Sequence, residues 1–186
     1  MKLSSTVLVV VDAQNGFVTD KSAYVIPRLV ELIDRWQRAG GEVIFTRYVN
    51  YPNSPYERLI HWSYLRDAPE TDLVHEIEER SQRPGTYSVR KTIYSLFNDE
   101  GASLVAQHGW TDLIITGIAT ESCVLKTAVD AFERDLTPWV LRDAVASHAG
   151  GDEHDAGLLV TERFIGPGQV LTTDQLLDRV TPPVPA

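Results

Sequence analysis

Three side chains of this sequence are of the types needed to attack a carbonyl: Asp12, Lys91 and Cys123, the last being the chain's single cysteine. A thiol is mostly protonated at neutral pH and the thiolate is the nucleophile, so something must take its proton. A carboxylate at Asp12 has that capacity. An ammonium at Lys91 would hold the carboxylate ionised and favour the thiolate. Cys123 lies in "GIATESCV" (117–124), which reads as the first turn of a helix, where unpaired N–H groups and the helix dipole lower a thiol's pKa. The same N–H groups would bind an oxyanion. Each residue also has a bland reading: the cysteine as a small buried hydrophobe, the aspartate as a turn or cap, the lysine beside Arg90 as a solvated charge.

The elements that would position them can be read from hydrophobic patterning. Apolar, β-branched runs recur at 6–12 ("TVLVVVD"), 41–47, 86–91, 112–117, 137–143 and, more weakly, 168–173. Short runs that are apolar on both faces predict strands of a sheet covered on both sides. Between them, 26–41, 100–110 and 122–134 repeat apolar residues at helical spacing, and the first stops at Gly40-Gly41. The alternation predicts one α/β domain of three layers, α/β/α, around a six-stranded, mostly parallel, doubly wound sheet. Ligands of such sheets bind at the carboxyl ends of the strands, where strand order reverses. Asp12 closes the first run, Lys91 closes the third, and Cys123 follows the fourth, so the three converge if the strand order allows.

The segment 48–85 fits this alternation poorly. It holds Pro52, Pro55, Pro69 and several aromatics, among them Tyr48, Tyr51, Tyr56, Trp62 and Tyr64. It is expected to be a lid or a subunit interface, with a short helix near 73–85. The tail 181–186, "TPPVPA", is expected to be loose.

Composition narrows the partners. The 186 residues are 43% hydrophobic and carry a formal charge of −9, which disfavours nucleic acid and anionic membrane surfaces because both need a basic face. With one cysteine no internal disulfide can form, and no membrane-length apolar run is present, so a cytoplasmic location is expected.

In order along the chain, "VVVDAQNGF", "RKTIYSLF", "GIATESCV" and "DAVAS" resemble the isochorismatase-like cysteine hydrolases, which include nicotinamidases and N-carbamoyl amide hydrolases. The resemblance covers about residues 5–175. It implies the triad Asp12, Lys91 and Cys123, a cis peptide between Ile118 and Ala119, and an oxyanion hole from the Ala119 and Cys123 N–H groups. It also implies a homo-oligomer and a small-molecule substrate. Family members that bind a metal carry an aspartate and histidines after the second strand. Here that stretch reads "TRYVNYPNSP", so no metal and no other cofactor are expected. His154, with Asp152, Glu153 and Asp155, is read as a solvated loop. By the same resemblance Phe17 would wall the pocket, with core packing as the other reading. By residue type and position, Gln14 would touch substrate or brace its loop, Arg47 at the end of the second strand would fork a substrate carboxylate or pair with an acid, and Trp62 and Tyr94 would line the mouth or serve core or subunit contact.

The expected activity is hydrolysis of a C–N bond in a small amide, carbamoyl or ureido compound through a thioester. Two alternatives stay open: vinyl-ether hydrolysis with Cys123 as a bystander, and an inactive interaction module.

Overall fold

The computed structural model describes residues 1–179, so the expected loose tail lies outside the described residues. Six strands form one sheet: β1 (Thr6–Val11), β2 (Glu42–Tyr48), β3 (Thr86–Lys91), β4 (Asp112–Ile118), β5 (Thr137–Ala146) and β6 (Val170–Leu171). Their order is β3-β2-β1-β4-β5-β6, and every pairing is parallel. The chain winds outward in both directions from β1 and β4, so the reversal of strand order falls between those two.

The apolar runs become strands because both faces of the sheet are covered. Every residue of β1 is buried. Leu8 and Val10 enter one core with Leu29, Ile33 and Trp36 of α1 (Val25–Arg38). Val7, Val9 and Val11 enter the other with Ala128 and Ala131 of α5 (Leu125–Glu133). The buried residues of α1 fall at 25, 26, 29, 32, 33 and 36, one stripe of a 3.6-residue period.

The segment 48–85 folds as α2 (Pro55–Ile60) and α3 (His75–Ser81) joined by loops. A Ser54 hydroxyl caps α2 by accepting from the Glu57 N–H. An antiparallel bridge between Gln14 and Leu73 ties the segment to the loop after β1. Beyond β3 comes α4 (Asp99–His108), capped by Asn98, and after β6 a short α7 (Thr173–Leu177).

Two local expectations are corrected. The stretch around His154 is not a loop but part of α6 (Gly151–Ile165), with Asp152 and Glu153 in its first turn. Acidic residues there complement the helix dipole, which accounts for a charge run without a solvated loop. The sixth strand is only Val170–Leu171, because Pro167–Gln169 forms a 3-10 turn before it.

Candidate active site

At the carboxyl end of β1, Asp12 leaves the strand with φ of 44°, a left-handed turn that aims its carboxylate back across the sheet. Thr46 of β2 fixes it twice. The Asp12 N–H donates to Thr46 Oγ1 at 3.1 Å, and that hydroxyl donates to Asp12 Oδ1 at 2.6 Å. The other oxygen, Oδ2, accepts from Lys91 Nζ at 2.6 Å. Lys91 reaches it from the end of β3, across β2. Its ammonium also donates to the carbonyl oxygens of Ile93 at 3.1 Å and Tyr94 at 2.9 Å. Both side chains of this ion pair are fully buried.

Cys123 arrives from β4. Its Sγ lies 3.5 Å from Lys91 Nζ and the residue is 4% exposed. The turn that carries it, Thr120–Val124, is π-helical and runs directly into α5. Gly117, with φ of 100°, stands so close to β1 that a Cβ would sit 2.1 Å from the Val11 carbonyl oxygen. Only glycine allows that approach, which brings the cysteine turn against the Asp12 turn. The peptide between Ile118 and Ala119 is cis. The Ala119 N–H makes no hydrogen bond among the described residues.

The electrostatics differ from the expectation of a lowered thiol. Burial pushes Cys123 up to about 12, with Asp12 adding to the rise and Lys91 opposing it. The π-helical turn does not overcome that desolvation, so the resting sulfur is a thiol. Burial alone would lower Lys91, but Asp12 and Cys123 together hold it above the usual lysine value.

Above Sγ opens a cavity of about 210 Å³. Phe17, Trp62 and Tyr94 line it, as the sequence suggested. Phe17 and Trp62 stack with centroids 5.8 Å apart and planes 5° from parallel. Tyr48 and Tyr56 complete the aromatic wall, 5.1 Å apart, and Tyr94 meets Tyr56 edge-on at 5.0 Å. Burial raises both Tyr48 and Tyr56, helped by their neighbours, so each keeps its O–H proton. Glu121, Ser122 and His148 supply the polar lining. His148 lies 5.2 Å from the Phe17 ring, and burial lowers its imidazole below the usual range.

Two suggested contacts are turned elsewhere. Gln14 is fully buried and spends its amide on backbone: Nε2 donates to the carbonyls of Tyr48 at 2.9 Å and Thr71 at 2.8 Å, and Oε1 accepts the Tyr48 N–H at 2.7 Å. It braces the loop rather than lining the cavity. Arg47 faces α3, where Glu78 Oε2 takes its Nη2 at 2.6 Å. Strand alternation sends residue 47 to the side opposite Thr46, away from the site.

Sequence reasoning missed Tyr48, Tyr56, Ile60, Glu121, Ser122 and His148. Tyr48 and His148 follow the same strand-end logic as Asp12, on β2 and β5, and Glu121 and Ser122 stand inside the cysteine motif itself. Tyr56 was marked only as one aromatic of the expected lid, and Ile60 had no local signal, since α2 is placed by packing. No group of three His, Cys, Asp or Glu side chains suited to a metal ion occurs among the described residues. His154 instead bonds Thr120, Nδ1 to Oγ1 at 2.8 Å.

Comparison with known proteins places the sequence and the fold. The Isochorismatase domain matches residues 6–175. The ureidoacrylate amidohydrolase RutB of Stutzerimonas stutzeri is 32% identical over 199 aligned residues, covering 89% of this chain and 79% of that one. Among solved structures, an isochorismatase-like hydrolase from Alkaliphilus metalliredigens superposes with a TM-score of 0.81 at 23% identity, covering 94% of this chain and 98% of that one. N-carbamoylsarcosine amidase from Thermoplasma acidophilum gives 0.76 at 24%, covering 91% and 97%. The match runs from the first residue of β1 into α7, and the RutB relative shares most of both chains, so this chain belongs to the isochorismatase family.

Proposed function

We propose that this chain is a metal-independent cysteine hydrolase that cleaves the C–N bond of a small amide, carbamoyl or ureido compound. One observation carries the reading. A buried ammonium bonds Asp12 at 2.6 Å and lies 3.5 Å from the Cys123 sulfur, directly beneath an aromatic cavity. The names of the amidohydrolase and amidase relatives support the C–N bond class.

Attack by Cys123 Sγ on the substrate carbonyl carbon forms the C–S bond as the thiol proton passes to Asp12. A thiol pushed up to about 12 gives up its proton in concert with attack, not beforehand. The carbonyl oxygen becomes an oxyanion, held by the Ala119 and Cys123 N–H groups. Collapse breaks the C–N bond, and the amine leaves with the proton from Asp12. Water then gives a proton to Asp12 and attacks the thioester; the thiolate is reprotonated as it departs. Lys91 holds Asp12 in place through both halves and offsets the charge that moves onto sulfur.

Acid quench during turnover of an amide and ureide panel, read by intact-protein mass, tests this. An acyl adduct on Cys123 and no turnover by Cys123→Ala are expected. Hydrolysis at the wild-type rate by Cys123→Ala would sink the mechanism.

The location is read as cytoplasmic and the assembly as a homo-oligomer. The outer side of the 48–85 segment exposes Leu59 and Tyr64 while its inner side lines the cavity, which suits an interface that is also a lid. Analytical ultracentrifugation of the full chain decides the assembly; a monomer at high concentration would refute it.

A further inference from the structure

Charge on this cavity's lining is one-sided. Of the residues around it, Glu121 is the one carboxylic acid, and no lysine or arginine is among them. Lys91 and Arg47, at the carboxyl ends of β3 and β2, are both committed. Lys91 is held by Asp12 and two carbonyls, and Arg47 by Glu78. Glu121 accepts at Oε1 from the Ser147 hydroxyl at 2.9 Å, while its buried Oε2 has no partner among the described residues. Two further polar atoms of residues that line it, Tyr48 Oη and His148 Nδ1, are also buried without a partner among the described residues. Around these atoms stand the rings of Phe17, Tyr48, Tyr56, Trp62 and Tyr94.

We infer that Glu121 sets the charge selectivity of the cavity, so that its occupant is a single-ring amide bearing no carboxylate, and an organic cation on that ring is preferred. This rests on the amide-hydrolase reading above and narrows it. A carboxylate entering here would be desolvated beside Glu121 and against ring faces of negative potential, with no cation to receive it. A delocalised organic cation meets the opposite situation: ring faces attract it and the nearby Glu121 carboxylate offsets its charge. The amide end would meet the oxyanion donors proposed above. Size sets the other limit, because pockets for drug-sized ligands measure about 300–1,000 Å³ and this cavity holds about 210 Å³.

The test uses full-length Cys123→Ala protein, which the mechanism above expects to be inert, and three amides of one shape: benzamide, meta-carbamoylbenzoate and the N-methylated meta-carbamoylpyridinium cation. Affinities are measured by titration calorimetry. The cation is expected to bind at least about tenfold more tightly than the anion, a difference of about 1.4 kcal/mol. Adding Glu121→Gln, which keeps the shape and the acceptor for Ser147, should shrink that ratio by about tenfold. Equal or tighter binding of the anion overturns the inference, as does an unchanged ratio in Glu121→Gln or no binding of any of the three. If Glu121→Gln does not fold, the order in the Cys123→Ala background decides alone. Because binding is read without turnover, the expected order combined with no hydrolysis of any amide by the wild type would support the charge assignment and overturn the hydrolase reading.

Discussion

The proposed reactive centre rests on two buried opposite charges, Asp12 and Lys91, holding each other where neither would stay alone. Lys91→Met leaves the Asp12 carboxylate buried and unpaired, and breaking such a pair costs about 3–5 kcal/mol. For a domain of this size that lowers Tm by roughly 6 °C or more, and calorimetry should record it along with loss of turnover. Asp12→Asn separates activity from thiol acidity. Asp12 is one of the causes that raise Cys123 to about 12, so removing its charge must lower the thiol. The thiolate fraction at any pH below that value then rises. Iodoacetamide labelling of Asp12→Asn at pH 8 should therefore be faster than wild type, about tenfold for each pKa unit lost. Hydrolysis should fall by roughly 10²–10⁴, the usual worth of a positioned proton carrier. Slower labelling in this variant would mean that the carboxylate activates the resting thiol instead of raising it.

At the scale of elements, the cysteine turn is held in shape by what packs against it. Helix α6 presses Gly157 onto that turn so closely that a Cβ would lie 2.7 Å from the Glu121 nitrogen and 2.8 Å from its Cα. Both neighbours are backbone and cannot rotate away. Gly157→Ala must push α6 off the turn or shift residues 120–124, at a cost of about 1–3 kcal/mol. A small displacement of a nucleophile is costly in rate, so kcat should drop by more than the loss of folded protein explains. An unchanged kcat with a lowered Tm would show that α6 yields and the turn does not. The Thr120–His154 bond joins the same two elements.

On the scale of the whole molecule, the cavity is assembled from segments far apart in the chain: Phe17 after β1, the 48–62 stretch, Tyr94 after β3, the cysteine turn and His148 after β5. Trp62 is half-buried, stacks on Phe17 and contributes nothing to the ion pair. Trp62→Ala should raise KM several-fold while leaving Tm within about 2 °C. An unchanged KM in steady-state assays would remove the 48–64 segment from substrate binding.

Much of this was legible in the residues. Five of the six strands stand close to their apolar runs, because burial on both faces demands continuous β-branched sequence whatever surrounds it. Asp12, Lys91 and Cys123 were marked by type and by position at strand ends. Other features had no local signature. Arg47 is consumed by Glu78 and Gln14 by backbone carbonyls, partners that lie 31 or more residues away in sequence. The rise of the thiol toward 12 comes from burial, which is a property of the packed molecule and not of the "GIATESCV" motif. The sequence by itself therefore determined the parallel α/β architecture and marked the trio that the fold brings together, since periodicity and residue chemistry are local. Only the tertiary structure decided which polar groups face the cavity, which are already paired, and what charge the cavity carries, because pairing and desolvation arise between segments that the chain brings together on folding.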